Sequence, residues 1–114
     1  MKRCRVEVQV SGLARNIHAL RDVLKPSTEI IFVVKSNAYG HGLEPVVSEA
    51  AAQGIRWFAV AYLHEALVVR RHAPDAGILV LGAIDAGDVS QALAHRITPV
   101  VMSLRQGLML AEAA

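Results

Sequence analysis

Four short apolar runs, each followed by a stretch with helical spacing, constrain the fold of this chain more than any other feature. The first run, residues 30–34, is continuous and rich in β-branched side chains, which is typical of a strand buried on both faces of a parallel sheet. The other apolar runs are 57–61, 78–81 and 99–102, and helical patterns follow the four runs at 43–53, 63–72, 86–94 and 104–113. The sequence therefore predicts four consecutive β-α units of an α/β fold.

The spacing of these runs narrows the choice of architecture. They end near Lys35, Ala61, Leu81 and Met102, which are 26, 20 and 21 residues apart. This rhythm is typical of β-α units with right-handed crossovers, as in open doubly wound sheets and in (β/α)8 barrels, and the close spacing favours the barrel. A barrel needs eight units and roughly 250 residues. The chain is therefore predicted to form either an open sheet or about the first half of a TIM-barrel-type fold.

The first ten residues follow a different pattern. Residues 5–10 alternate between valine and polar side chains, and this period of two predicts a half-buried strand. Helical spacing begins at Leu13, for which Ser11 is the predicted N-cap. We therefore expect a strand within residues 1–10 and the β-α units in residues 11–114.

Composition excludes several classes of protein. Hydrophobic residues make up 54% of the chain, enough for a packed core. The net charge is +2, from 12 basic and 10 acidic residues, which argues against binding to nucleic acid or to an anionic membrane. Cys4 is the only cysteine, so neither an internal disulfide nor a cysteine metal cluster is possible, and a cytoplasmic location is expected. The sequence shows neither a signal peptide nor a membrane span.

The first apolar run ends on Lys35, at the edge of the sheet where both architectures bind ligands. An ammonium beside a dry strand end loses solvation, which favours the neutral amine, and a neutral amine can attack an aldehyde to form a Schiff base. Tyr39 can donate to a phosphate or a carbonyl near the same edge, while Gly40 and Gly42 permit a tight turn and His41 is interpreted as a loop residue that orients it. These residues alone leave open that Lys35 is a solvated cap and that Tyr39 is a packing residue.

The stretch "VVKSNAYGHG", residues 33–42, resembles the cofactor-lysine motif of the alanine racemases, which are pyridoxal-phosphate enzymes built on a (β/α)8 barrel. The similarity extends to "LARNIHALR" in the first helix, to "WFAVAYLHEALVVR" in the second unit, including Glu65 and Ala66, and to "ILVLG" and "ITPVV" in the third and fourth strands. Related pyridoxal-phosphate proteins share a strand-end lysine but not the run Asn-Ala-Tyr-Gly-His-Gly. The resemblance implies the first half of an alanine-racemase-like barrel, with residues 1–10 as a strand of a C-terminal β domain and residues 11–114 as four β-α units.

The resemblance also implies roles for individual residues. Lys35 would bind pyridoxal 5′-phosphate covalently, and its freed amine would act as the acid/base on the D-alanine side. Tyr39 would donate to the cofactor phosphate, and Val33 and Leu81 would line the ring pocket; no metal is implied. The second acid/base would be a tyrosine from the C-terminal domain of the partner subunit in a homodimer, and neither Tyr39 nor Tyr62 matches it.

The function implied by the resemblance is the interconversion of L-alanine and D-alanine, which supplies D-alanine for peptidoglycan. The second acid/base and further cofactor contacts are expected beyond Ala114, so the 114 residues are expected to be a fragment that is inactive alone. Three alternatives stay open: a racemase of the same fold with a broader substrate range, a non-catalytic pyridoxal-phosphate-binding protein, and an α/β interaction module in which Lys35 is a surface cap.

Overall fold

Residues 3–114, the part of the chain that the computed structural model describes, form four strands, each followed by one helix or, after the first strand, by two. Their bounds are α1 (Val10–Val23), β1 (Ile31–Val33), α2 (Lys35–Tyr39), α3 (Leu43–Ala52), β2 (Trp57–Val60), α4 (Leu63–His72), β3 (Gly77–Val80), α5 (Val89–Ala94), β4 (Thr98–Pro99) and α6 (Leu104–Ala113). None of these helices is long and apolar enough to cross a membrane.

The four strands form one parallel sheet in the order β1-β2-β3-β4, so each strand pairs with the strand of the next unit. Strand β2 is buried on both faces, whereas β3 alternates between half-buried and buried residues, and Phe58 and Ile78 are fully inaccessible to solvent. On one side of the sheet, α4 packs against β2 and β3, α3 packs against α4, and α1 packs against α3. This confirms the predicted α/β fold of consecutive β-α units, which corresponds to about the first half of a barrel.

The helix bounds agree with the sequence pattern in the second and fourth units, whereas the bounds of the fourth strand differ. The helices predicted at 63–72 and 104–113 have those bounds. The fourth strand, predicted at 99–102, is Thr98–Pro99 instead. Pro99 has no amide proton to donate to a sheet ladder, and β4, the last strand of the described sheet, is only two residues long.

The amino-terminal segment differs from the prediction. Residues 3–9 contain no strand, α1 begins at Val10, and residues 1 and 2 lie outside the described residues. A strand needs a neighbouring strand to satisfy its amides, and the described part of the chain places none beside this segment; Val6 is 78% exposed. The prediction of Ser11 as N-cap is also wrong, because extended Gln9 precedes the helix and its side chain makes no capping bond.

The guanidinium of Arg70 connects the end of α4 to the end of α5 through hydrogen bonds. Arg70 donates hydrogen bonds to the backbone carbonyls of Pro74, Ala76, His95 and Arg96, at 2.6 to 2.9 Å. A planar guanidinium with five N–H donors can serve several acceptors at once, which an ammonium cannot do in the same geometry. Burial, together with the charge of Arg96, lowers the pKa of Arg70. The third and fourth units are thereby held at the end of the sheet opposite to Lys35.

Candidate active site

Lys35 lies at the carboxyl end of the first strand, as the sequence predicts. Val34, which precedes it, is fully buried, and its amide donates to the carbonyl of Ala59 on β2 at 2.9 Å. Lys35 itself is half-buried. Among residues 3–114, no side chain forms an ion pair or a hydrogen bond with its amine. The strand end therefore presents an unpartnered primary amine at the edge of the sheet.

The backbone directly after Lys35 is left-handed. Residues from Ser36 to Tyr39 have φ between 53° and 55°, and Gly40 and Gly42 continue with φ of 85° and 97°. For residues with a side chain this conformation costs about 1–2 kcal/mol each, and it persists only where the surroundings impose it. The two glycines were expected to permit a tight turn, and they do, but the strain in the four residues before them could not be predicted from the sequence.

Hydrogen bonds within the segment hold this left-handed turn, residues 36–39, in place. The side-chain oxygen of Asn37 accepts from the amide of Leu43 at 2.8 Å, where α3 begins. Nδ1 of His41 donates to the carbonyl of Ala38 at 2.9 Å, so the ring contacts the turn, as the sequence predicts. The amide of Gly42 donates to the carbonyl of Asn37 at 3.0 Å. The conformation is thus specified by several contacts at once.

Sequence reasoning assigned no role to Glu65, which the structure places beside the turn. Its side chain is buried, and Oε1 accepts from the amide of Ser36 at 2.7 Å. Oε2 accepts from the amides of Ala61 and Tyr62 at 2.9 and 3.1 Å. Glu65 lies three residues after Tyr62, the N-cap of α4, and a glutamate at that spacing often caps a helix. That spacing is the signal that could have marked Glu65 in the sequence.

Tyr39 lines a groove of about 650 Å³ beside β1. Its side chain is 59% exposed, and Val33 and His41 line the same groove. Lys35 is not among the lining residues, although it is on the same turn as Tyr39, and Leu81 is not among them either. Of the residues nominated by the sequence, the structure brings Tyr39 and Val33 to one groove and leaves Lys35 and Leu81 outside it.

The fold and the site together define a class: a parallel β-α half-barrel with a free lysine amine at the carboxyl end of its first strand. The family model for the N-terminal domain of alanine racemase matches residues 8–114. The chain therefore belongs to the alanine racemase N-terminal domain family.

The similarity of individual relatives, in sequence and in structure, is consistent with membership of this family. The alanine racemase of Geobacillus kaustophilus (strain HTA426) is 45% identical over 96 residues, which is 84% of this chain and 25% of that protein. The solved alanine racemase of Clostridium difficile 630 superposes with a TM-score of 0.85 at 26% identity, over 90% of this chain and 27% of its own. Histidine racemase from Leuconostoc mesenteroides subsp. sake NBRC 102480 superposes with a TM-score of 0.78 at 28% identity, over 91% and 28%. The chain spans about a quarter of the length of the curated relatives that it matches.

Proposed function

We propose that this chain supplies the cofactor-bearing part of an alanine racemase, which interconverts L-alanine and D-alanine with pyridoxal 5′-phosphate bound to Lys35. The observation that carries the proposal is the free, half-buried amine of Lys35 at the carboxyl end of β1, in a chain matched from residue 8 to 114 by the racemase family. In barrels of this kind, catalytic groups lie at that end of the strands.

The residues present fit this cofactor. Pyridoxal phosphate carries an aldehyde, which reacts with an unpartnered amine, and a phosphate, which accepts hydrogen bonds. Lys35 provides the amine, and the exposed hydroxyl of Tyr39, on the same short turn, provides a donor. Once bound, the cofactor supplies an electron-withdrawing ring that stabilises the carbanion left when the amino acid loses its α-proton.

The proposed roles follow from these positions. Lys35 holds the cofactor and, once its amine is freed, takes or returns the α-proton on the D-alanine side. Tyr39 fixes the orientation of the cofactor through its phosphate. The opposite face of the substrate requires a second acid/base, which we propose comes from the C-terminal domain of a partner subunit, as the family resemblance implies. Racemisation on both faces thus depends on parts additional to residues 3–114.

A chimera tests the proposal. Residues 8–114 replace the matching quarter of the Geobacillus kaustophilus alanine racemase, which supplies the rest of the barrel and the second domain. We expect the chimera to bind pyridoxal phosphate and to interconvert the alanine enantiomers, measured by circular dichroism of the substrate. A folded chimera that binds the cofactor without racemising alanine would support the alternative of a non-catalytic carrier.

A racemase acting on another amino acid is the second candidate. It rests on one observation: a solved histidine racemase shares the fold of this chain at 28% identity, although several alanine racemases are 33% to 45% identical. Assaying the chimera with alanine and with histidine tests whether residues 8–114 shift the substrate preference of the alanine racemase that supplies the rest of the chimera. A higher kcat/KM for histidine would favour the second candidate.

Replacing Tyr39 with phenylalanine in the chimera should weaken cofactor binding by about 10–100-fold, because the phosphate loses one charge-assisted hydrogen bond while the ring remains. The measurement is a titration with pyridoxal phosphate, followed by the visible absorbance of the lysine-bound cofactor. Tyr62→Phe is the matched control, since Tyr62 is equally exposed, at 61%, and lies outside the turn. Equal cofactor affinity in the two variants would contradict the role of Tyr39.

A further inference from the structure

A buried carboxylate is connected to the backbone beside the candidate lysine. Of residues 3–114, Glu65 alone combines an ionisable side chain with burial, being only 7% exposed. Burying a carboxylate is costly unless hydrogen bonds replace its hydration. Three backbone amides do so here, and no cation of the described residues forms an ion pair with it. The bonds of Glu65 are thus made entirely to the main chain.

We infer that Glu65 is a positioning residue for Lys35: its carboxylate fixes the backbone turn that carries the lysine and leaves the lysine amine free. This inference deepens the proposed function and rests on it, because a positioned amine matters only if Lys35 binds a carbonyl compound.

The geometry ties the ends of two neighbouring strands together. Ser36, which follows Lys35, is the first left-handed residue of the turn, and its amide is held by Oε1 of Glu65. Ala61 and Tyr62, which follow β2, are held by Oε2. Within the described part of the chain, Glu65 is the one side chain from outside the segment 34–43 that hydrogen-bonds to the turn. A strained backbone needs such outside constraints in order to persist.

The same contacts explain why the amine stays available. An ion pair between a carboxylate and Lys35 would stabilise the ammonium and disfavour its attack on a carbonyl. Glu65 is close enough to bind the neighbouring amide of Ser36, yet it forms no ion pair with the lysine. The carboxylate therefore orients the backbone next to Lys35 and does not pair with the lysine amine.

Glu65→Gln separates this role from the capping of α4. A glutamine keeps the shape of the side chain but has one acceptor oxygen and an amide nitrogen that cannot accept. If the oxygen stays on the amides of Ala61 and Tyr62, where it makes two bonds, the amide of Ser36 loses its acceptor. We expect hydrogen exchange of the Ser36 amide, measured by NMR on the 114-residue chain, to accelerate about tenfold or more relative to that of Tyr62.

The second readout is the reactivity of Lys35. The chain is incubated with pyridoxal phosphate, the product is reduced with borohydride, and mass spectrometry gives the ratio of label on Lys35 to label on the exposed Lys25. We expect Glu65→Gln to lower this ratio about tenfold. Val69→Ala is the control, because it removes a fully buried side chain from the same helix without touching Glu65, and it should leave the ratio unchanged.

The outcomes separate the inference from the proposed function. If the wild-type chain labels Lys35 no more than Lys25, the positioning role fails, while the proposed function is decided separately by the activity and cofactor binding of the chimera. If wild-type labelling favours Lys35 and Glu65→Gln leaves the ratio or the Ser36 exchange unchanged, the inference alone is overturned. Should Glu65→Gln not fold, the wild-type chain decides: a Ser36 amide that exchanges as fast as an unprotected amide overturns the inference, and a protected one supports it.

Discussion

Lys35→Ala in the chimera should abolish the visible absorbance of lysine-bound pyridoxal phosphate and lower kcat for alanine racemisation by about 10³-fold or more. Two losses combine in this variant: the covalent attachment point disappears, and so does the acid/base on one face of the substrate. The rest of the site is expected to remain, because the side chain of Lys35 forms no ion pair or hydrogen bond with the described residues that its removal would break. Absorbance spectra and circular dichroism of the substrate provide the two measurements.

Lys25→Ala is the matched control for this prediction. Lys25 lies between α1 and β1 at the opposite end of the sheet, and it is exposed. Its removal should change neither the spectrum nor kcat. Full racemase activity in a folded Lys35→Ala chimera would refute the assignment of Lys35, and with it the proposed function.

Gly82→Ala should lower the free energy of unfolding of the 114-residue chain by about 1–3 kcal/mol, the cost of overpacking a tight contact. A Cβ atom at Gly82 would lie 2.4 Å from the carbonyl oxygen of Ala61, which is backbone and cannot rotate away. The amide of Gly82 also donates to that oxygen at 3.0 Å, so the substitution pushes apart the ends of β2 and β3.

Urea denaturation followed by circular dichroism measures the change. Gly87→Ala is the control: a Cβ atom there would meet no atom within 4 Å, and the position has no left-handed backbone. Equal unfolding midpoints for the two variants would show that the close approach at Gly82 does not constrain the sheet.

The repeating β-α units could be predicted because periodicity in the sequence reflects burial. The run that became β2 is continuous and apolar because both faces of that strand are covered, and its central residue Phe58 is fully buried. The helix bounds of α4 and α6 were predicted because each helix follows a strand at a clear change of period.

The amino-terminal segment could not be predicted in this way. The alternation of residues 5–10 indicates which side chains could share a face, but strand formation depends on a pairing partner, and the described residues 3–9 have none. That this segment pairs with a C-terminal β domain stays a prediction.

Only part of the candidate site could be predicted from the sequence. The chemistry of Lys35 and Tyr39 follows from their residue types and their place after a strand, and their roles stay predictions. The left-handed turn and its bond to Glu65 could not be derived, because the partner of the Ser36 amide lies 29 residues further along the chain. Local propensity carries no information on a hydrogen bond across that separation.

The order of the strands affects how the chain can fold during its synthesis. Each of the four described strands pairs with the one that follows it in sequence, so no pairing among them has to wait for a distant segment. Short loop closures favour fast folding, and a chain leaving the ribosome from its amino end can add one unit at a time. Glu65 lies in the unit directly after the one that contains Lys35. The hydrogen bond between Ser36 and Glu65 therefore joins two consecutive units of the chain.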